Sequence, residues 1–167
     1  MVPFPKDGSA MLTQRSEYAL RAMLMLATLP PEGRLMVREI AAARKVPRKF
    51  LEQILLDLKQ RGLLVSQRGK TGGYRLAKPA NRVTFGEIIR ITDGPLALIA
   101  CASLTGYERC DDCEDEKACA IRKTMRSVRD VTAGILDTVT LADALQAEQK
   151  QRAGQGRRRT ILSKSNS

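Results

Sequence analysis

The chain has 167 residues, with 29 lysines and arginines against 18 aspartates and glutamates, giving a formal charge of +11. That length supports one modest core with appendages and excludes two large independent domains. Hydrophobic residues make up 43% but aromatics only 4%, with no tryptophan, which favours packed helices over a sheet core of large rings; the positive excess fits a polyanionic partner, nucleic acid or acidic membrane.

Residues 1–10 carry Pro, Gly and Lys without periodicity and read as a disordered lead. Pro3, Pro5, Lys6 and Asp7 come before any apolar stretch, so no secretory signal or membrane span is expected and the predicted location is cytoplasmic. Over 13–29, Tyr18, Met23, Leu24, Leu26 and Ala27 fit one helical face, which Pro30-Pro31 ends. A short helix is expected over 37–43, with Ile40 inward. After Arg44-Lys45-Val46, Pro47 opens a third helix running to 61, because a first-turn proline loses no hydrogen bond. Leu51, Ile54, Leu55 and Leu58 form its apolar stripe, and Arg48, Lys49, Glu52 and Gln53 lie on another face before Gly62. Two short helices around a tight turn make a helix-turn-helix.

Two β-prone runs follow at 63–66 and 74–76, joined by Arg68-Gly69-Lys70-Thr71-Gly72-Gly73, and together they predict a basic two-stranded wing. Thr84 and Glu87 have capping-box spacing ahead of Ile88, Ile89 and Ile91, and Gly94-Pro95 stops that helix. All four cysteines come next, within nineteen residues. A last helix is expected over 118–139, where Ile121, Met125, Val128, Thr132, Ile135 and Val139 repeat at four and three, a narrow seam suited to its own copy in a homodimer. The fold class is therefore mainly α, a winged helix-turn-helix with a long C-terminal dimerisation helix. Its expected divisions are 11–95 for the DNA-binding unit, 96–117 for the cysteine loop, 118–145 for the dimer helix and 146–167 for a disordered basic tail holding Arg157-Arg158-Arg159.

Charge sharpens the DNA reading. Residues 11–76 hold 13 basic and 5 acidic side chains, whereas 108–117 hold 6 acidic and 2 basic, so the polyanion belongs to the N-terminal half. A second helix of this motif fits the major groove of a double-stranded operator. Glu52 accepts from cytosine and Gln53 pairs with adenine, while Arg48 and Lys49 suit phosphate; a merely solvated helix face is the alternative for these four. Arg68 at the wing tip suits the minor groove, with Lys70 and Arg75 near phosphates. Gly69-Lys70-Thr71 is not a phosphate-binding P-loop, since Leu64 occupies the place of the required glycine. With no histidine and no nucleophile-base constellation, an enzyme is not expected.

Cys101, Cys110, Cys113 and Cys119 are separated by eight, two and five residues. In a reducing compartment such a cluster binds soft metal or iron-sulfur, holds a structural zinc on four thiolates, or consists of unrelated thiols. Spacing alone leaves these open.

Tyr18-Ala19-Leu20-Arg21, Phe50-Leu51-Glu52-Gln53-Ile54-Leu55, Gly62-Leu63-Leu64-Val65, Arg68-Gly69 with Gly72-Gly73-Tyr74-Arg75-Leu76-Ala77, and 88–94 together resemble the IscR/NsrR/RirA/CymR family of bacterial winged-helix transcription regulators, over about residues 11–145. The resemblance implies a homodimer on a near-palindromic operator, with repression the expected mode and Glu52 and Arg68 at groove-reading positions. It also implies an iron-sulfur cluster, 4Fe-4S or 2Fe-2S, that senses redox state, nitric oxide or iron and sulfur status. Cys101, Cys113 and Cys119 are the implied core ligands. The remaining position falls to Cys110 or to Glu17 of the partner subunit, since some members use a carboxylate there; otherwise Glu17 only complements its helix dipole.

Overall fold

The structure is a computed structural model that describes residues 12–69 and 72–164, with side chains described as far as 154. Residues 1–10, read above as a lead, and Lys70 lie outside the described residues.

Helix α1 (Gln14–Ala27) starts where the Thr13 hydroxyl accepts from the Ser16 amide. It buries Ala19, Ala22, Met23 and Leu26. Helices α2 (Val37–Arg44) and α3 (Arg48–Gln60) are joined by Lys45, a non-glycine residue at φ 53°. That left-handed residue turns the chain sharply enough for Val46 to donate to Ala41 O at 3.0 Å and to bury its own side chain. Leu51, Ile54, Leu55 and Leu58 are all fully buried, so the predicted stripe is the face that docks α3. An edge-to-face contact of Tyr18 with Phe50, centroids 5.9 Å apart, and the Arg15–Asp57 ion pair fix α1 to α3.

Strands β1 (Leu64–Gln67) and β2 (Gly73–Leu76) pair antiparallel, Leu64 opposite Leu76 and Gln67 opposite Gly73. Leu35 and Tyr74 exchange backbone hydrogen bonds of 3.1 and 2.8 Å, tying the wing base to the segment before α2. Gly73 makes this possible: its φ is 145°, and a Cβ there would lie 2.5 Å from Leu35 O.

Helix α4 (Phe85–Thr92) is capped by Thr84, which accepts from the Glu87 amide at 3.2 Å. Only this half of the expected capping box forms, because the Glu87 carboxylate is taken by Lys78 Nζ at 2.9 Å. Helix α5 (Ala120–Leu136) begins at Cys119, and a separate helix, α6 (Leu141–Lys164), follows.

The helix expected over 118–139 is α5, the dimer unit drawn to 145 takes in the start of a second helix, and the tail expected to be disordered from 146 is helical to Lys164. The break has a cause. Val139 O accepts from Phe85 N at 3.1 Å and Leu141 N donates to Val83 O at 3.0 Å, so the chain leaves helical geometry to pair with the entry of α4 before Leu141 buries itself completely. Thr140 and Asp143 then exchange capping bonds that restart the helix. Composition read as disordering is rich in Ala, Gln, Lys and Arg, all good helix formers, and Glu148 pairs with Arg152 one turn on. Among the described residues no helix is long and apolar enough to cross a membrane.

Helices α4 and α5 meet at Arg90 and Asp137, whose two nitrogens and two oxygens pair at 2.5 and 2.9 Å. The guanidinium holds the Asp137 carboxyl below the ordinary aspartate range. Buried Gly86 leaves room for this pair, since a Cβ there would come 2.1 Å from Asp137 Oδ1. A depressed carboxyl stabilises the fold above the ordinary aspartate range and loses that contribution as pH falls through the folded value. We therefore expect Gly86→Ala to leave stability at neutral pH within about 1 kcal/mol of the parent, because gained helix propensity offsets loss of a half-exposed pair. Chemical denaturation from neutral to acid pH should then show a shallower acid decline; an unchanged acid limb would mean the pair survives.

Candidate functional site

Two surfaces hold the residues singled out in the sequence. On α3, Arg48, Lys49 and Gln53 are exposed and Glu52 is half-buried, so the set lies opposite the docked stripe. Within it Arg48 Nε donates to Glu52 at 2.8 Å and Gln53 Nε2 donates to Asp57 at 2.9 Å. These one-turn pairs hold the side chains extended along the helix. Glu52 also sits close enough to raise the Tyr74 hydroxyl pKa, after burial as the larger cause, so α3 and the wing strand β2 lie side by side. Arg68 is exposed beyond β1. Arg75 differs: it is half-buried, donates to Leu76 O at 3.2 Å and lines a cavity under the end of α1, so it serves the wing's packing as well as its charge.

The second surface is the loop between α4 and α5. Cys101, Cys110, Cys113 and Cys119 all line one cavity of about 310 Å³, with Ile99, Ile121, Arg109 and Arg122 also in its wall. Cys101 is buried, Cys113 and Cys119 are half-buried and Cys110 is exposed. Among the described residues, no group of three or more Cys, Asp or Glu side chains is gathered as a site for one metal ion. The thiols surround a space; they do not meet at a point.

Each thiol has a distinct setting. Cys101 belongs to a 3-10 turn, Ala100–Ala102. Cys119 is the N-cap of α5, its sulfur accepting from the Arg122 amide at 3.5 Å. That amide, together with a hydrogen bond from the Cys113 thiol, holds Cys119 below the ordinary thiol range, whereas burial and donation to Cys119 push Cys113 up. One of the pair is thus set toward thiolate by the start of a helix.

Four residues passed over in the sequence build the loop. Arg122 Nε donates to Cys101 O at 2.8 Å, and its guanidinium stands 5.9 Å over the Tyr107 ring. The Tyr107 hydroxyl donates to Glu116 at 2.7 Å. Arg129, buried in the middle of α5, donates to Ala102 O. The helical period of α5 put Arg122 and Arg129 seven apart on one face, which is the signal that could have found them. Their apolar neighbours Ile121, Val128 and Ile135 remain exposed, Ile121 to 68%. Glu17 is exposed in the first turn of α1 and paired with Arg21; it does not line the cysteine cavity of its own chain.

A family model described as Rrf2, iron-dependent transcriptional regulator, matches residues 12–147. A helix-turn-helix-type transcriptional regulator named as rrf2-like, from Rhodobacter capsulatus, is 43% identical over 141 residues, covering 82% of this chain and 93% of that protein. The regulator NsrR of Geobacillus kaustophilus is 33% identical over 81% of this chain and 89% of its own length. Among solved structures, CymR, the global cysteine regulator of B. subtilis, superposes with a TM-score of 0.67 at 30% identity, covering 83% of this chain and 98% of CymR. T. potens IscR gives 0.67 at 26% identity, covering 86% and 91%.

The N-cap role of Cys119 separates from any role as ligand. Serine is among the best N-caps and alanine among the poorest, so in metal-free protein Cys119→Ser should be more stable than Cys119→Ala by about 1 kcal/mol in urea unfolding. Equal stabilities would show that the sulfur contributes nothing to the start of α5.

Proposed function

Because this chain belongs to the Rrf2 family of iron-dependent transcriptional regulators, we propose that it is a homodimeric, operator-binding regulator, with repression its mode, whose DNA affinity is set by an iron-sulfur cluster on the cysteine loop. The observation that carries the cluster is the convergence of all four cysteines on one cavity. A single zinc would need all its sulfurs at about 2.3 Å from one point. A four-iron cluster instead takes one ligand on each iron and so suits ligands spread round a cavity wall. When bound, it supplies a reactive, oxidisable centre. Cys101, Cys113 and Cys119 are the core ligands, with Cys110 or the partner's Glu17 as the fourth. Ile99 gives the cavity wall an apolar side chain, and Arg109 and Arg122 offset the negative charge of gathered thiolates.

The exposed Ile121, Val128, Val131 and Ile135 on α5 support the dimer, since an apolar face of this length fits a second copy of itself. The α3 face and the wing then serve as the operator surface: Glu52 and Gln53 toward base edges, Arg48 and Lys49 toward phosphate, Arg68 toward the minor groove, with Lys70 and Arg75 as further phosphate contacts.

Protein purified without oxygen should be brown, with visible charge-transfer absorption and bound iron; a colourless sample containing zinc would reject the cluster. In the brown protein, Glu17→Ala should change that spectrum and uncouple DNA binding from cluster state, while Cys110→Ala leaves both nearly intact. The opposite pattern would place all four ligands in one subunit. For the operator, Glu52→Ala should alter base preference at one position per half-site. Lys49→Ala should instead weaken all sequences alike and lower the salt slope by about 1. Equal losses on specific and random DNA after Glu52→Ala would remove that residue from readout.

A further inference from the structure

Beside the cysteine cavity lies a second hollow, a polar groove of about 400 Å³ along the first turns of α5. Its outer rim is exposed Lys117, Lys123, Arg126 and Asp130. Two residues, Glu116 and Arg122, line both hollows. Both are half-buried, and both are held by Tyr107, Glu116 through the phenol hydroxyl at 2.7 Å and Arg122 over the ring face at 5.9 Å. Glu116 and Arg122 thus form the wall shared by groove and cavity, and both touch one exposed tyrosine, with Arg122 held as well by its 2.8 Å bond to Cys101 O.

The rim has an electrostatic sign. Four cations line the groove against two carboxylates. Both carboxylates are already engaged, Asp130 by Arg129 at 2.8 Å and Glu116 by Tyr107. Lys117, Lys123 and Arg126 thus present a positive mouth, although the loop as a whole is acidic. Positive clefts concentrate anions locally.

The geometry points to this groove as an anion-selective vestibule: small anionic solutes collect on Lys117, Lys123 and Arg126 and reach the cysteines when Glu116 and Arg122 swing off Tyr107. The vestibule concerns the cavity already described, yet it operates whichever group the cysteines hold. Only non-covalent contacts move: the hydroxyl of Tyr107 releases Glu116, and the guanidinium of Arg122 leaves the ring and gives up its bond to Cys101 O. The chemical class favoured is the small anion, on the sign of the lining charge.

Two alkylating reagents of nearly equal size but different charge, iodoacetate and iodoacetamide, test this on the full chain after chelation of any iron, with labelling followed at each cysteine by peptide mass. Buried Cys101 is the reporter and exposed Cys110 the reference. Changing Lys123→Gln and Arg126→Gln together should lower the iodoacetate to iodoacetamide rate ratio at Cys101 about three-fold at low ionic strength, an effect that added salt removes. Tyr107→Leu should raise both rates at Cys101 by several-fold with the ratio kept. Tyr107→Phe, which retains the ring under Arg122 and frees only Glu116, should fall between Tyr107→Leu and the parent and guards against loss of the loop fold. A ratio unmoved by the charge changes would overturn the proposal, because solutes would then be entering on the Cys110 side. Rates at Cys101 unmoved by both tyrosine changes would overturn it equally. A colourless parent protein would sink the cluster and leave these rates standing.

Discussion

The cysteine loop has almost no core of its own, and its shape depends on two guanidinium groups of α5 that hold two consecutive carbonyls. Arg122 takes Cys101 O and Arg129 takes Ala102 O. Side chains of such length lose much rotamer freedom when fixed, so the contacts must be charge-assisted and partly dry to be worthwhile; Arg129 is 7% exposed. Given this anchor, Cys101 faces the cavity from the inner side while Cys119 closes it from the helix end. The acidic stretch between them can stay largely exposed because nothing in it has to pack.

Opposite ends of the chain thereby receive opposite electrostatic tasks. Side chains on α3 and the wing pair among themselves just enough to be held extended, as Arg48 with Glu52 and Gln53 with Asp57 are, and exposed pairs of this kind are weak enough to be exchanged for a polyanion. In the loop the acidic side chains of 108–117 give the segment a negative charge, while the cations of α5 stand beside the thiols. Charge distribution, more than net charge, divides the molecule's two roles.

Much of this was legible in the sequence where periodicity and special residues agree. The stripe Leu51, Ile54, Leu55 and Leu58 gave the docked face of α3, and Gly72-Gly73 gave the wing, because only glycine tolerates the approach of Leu35 O. The division of the last helix was not legible, since its cause is a long-range one: Val139 and Leu141 bond to Phe85 and Val83 across more than fifty residues, and no local pattern announces a partner that distant. The helical tail was misread because good helix formers and disordered segments share a polar composition. In the loop, spacing placed four thiols near one another but not their surroundings. Arg122, Tyr107 and Glu116 belong to the site through tertiary contacts alone, and Cys119 as a helix cap departs from the usual serine or aspartate signal.

The paired segment at 139–141 has a mechanical meaning. Helix α5, seventeen residues or about 26 Å long, is fastened near one end to the turn at Ala100–Ala102 and at the other to α4, through Arg90 with Asp137 and through the bridge of Thr84 to Thr140. A rod clamped at both ends does not bend to absorb a push; it transmits it. A displacement at Cys119 would be carried along α5 to the mount of α4, and α4 is pinned to the first turn of α1 by Asp93 and Thr13. The same clamps tie the cysteine-bearing end of α5, through α4, to the start of α1.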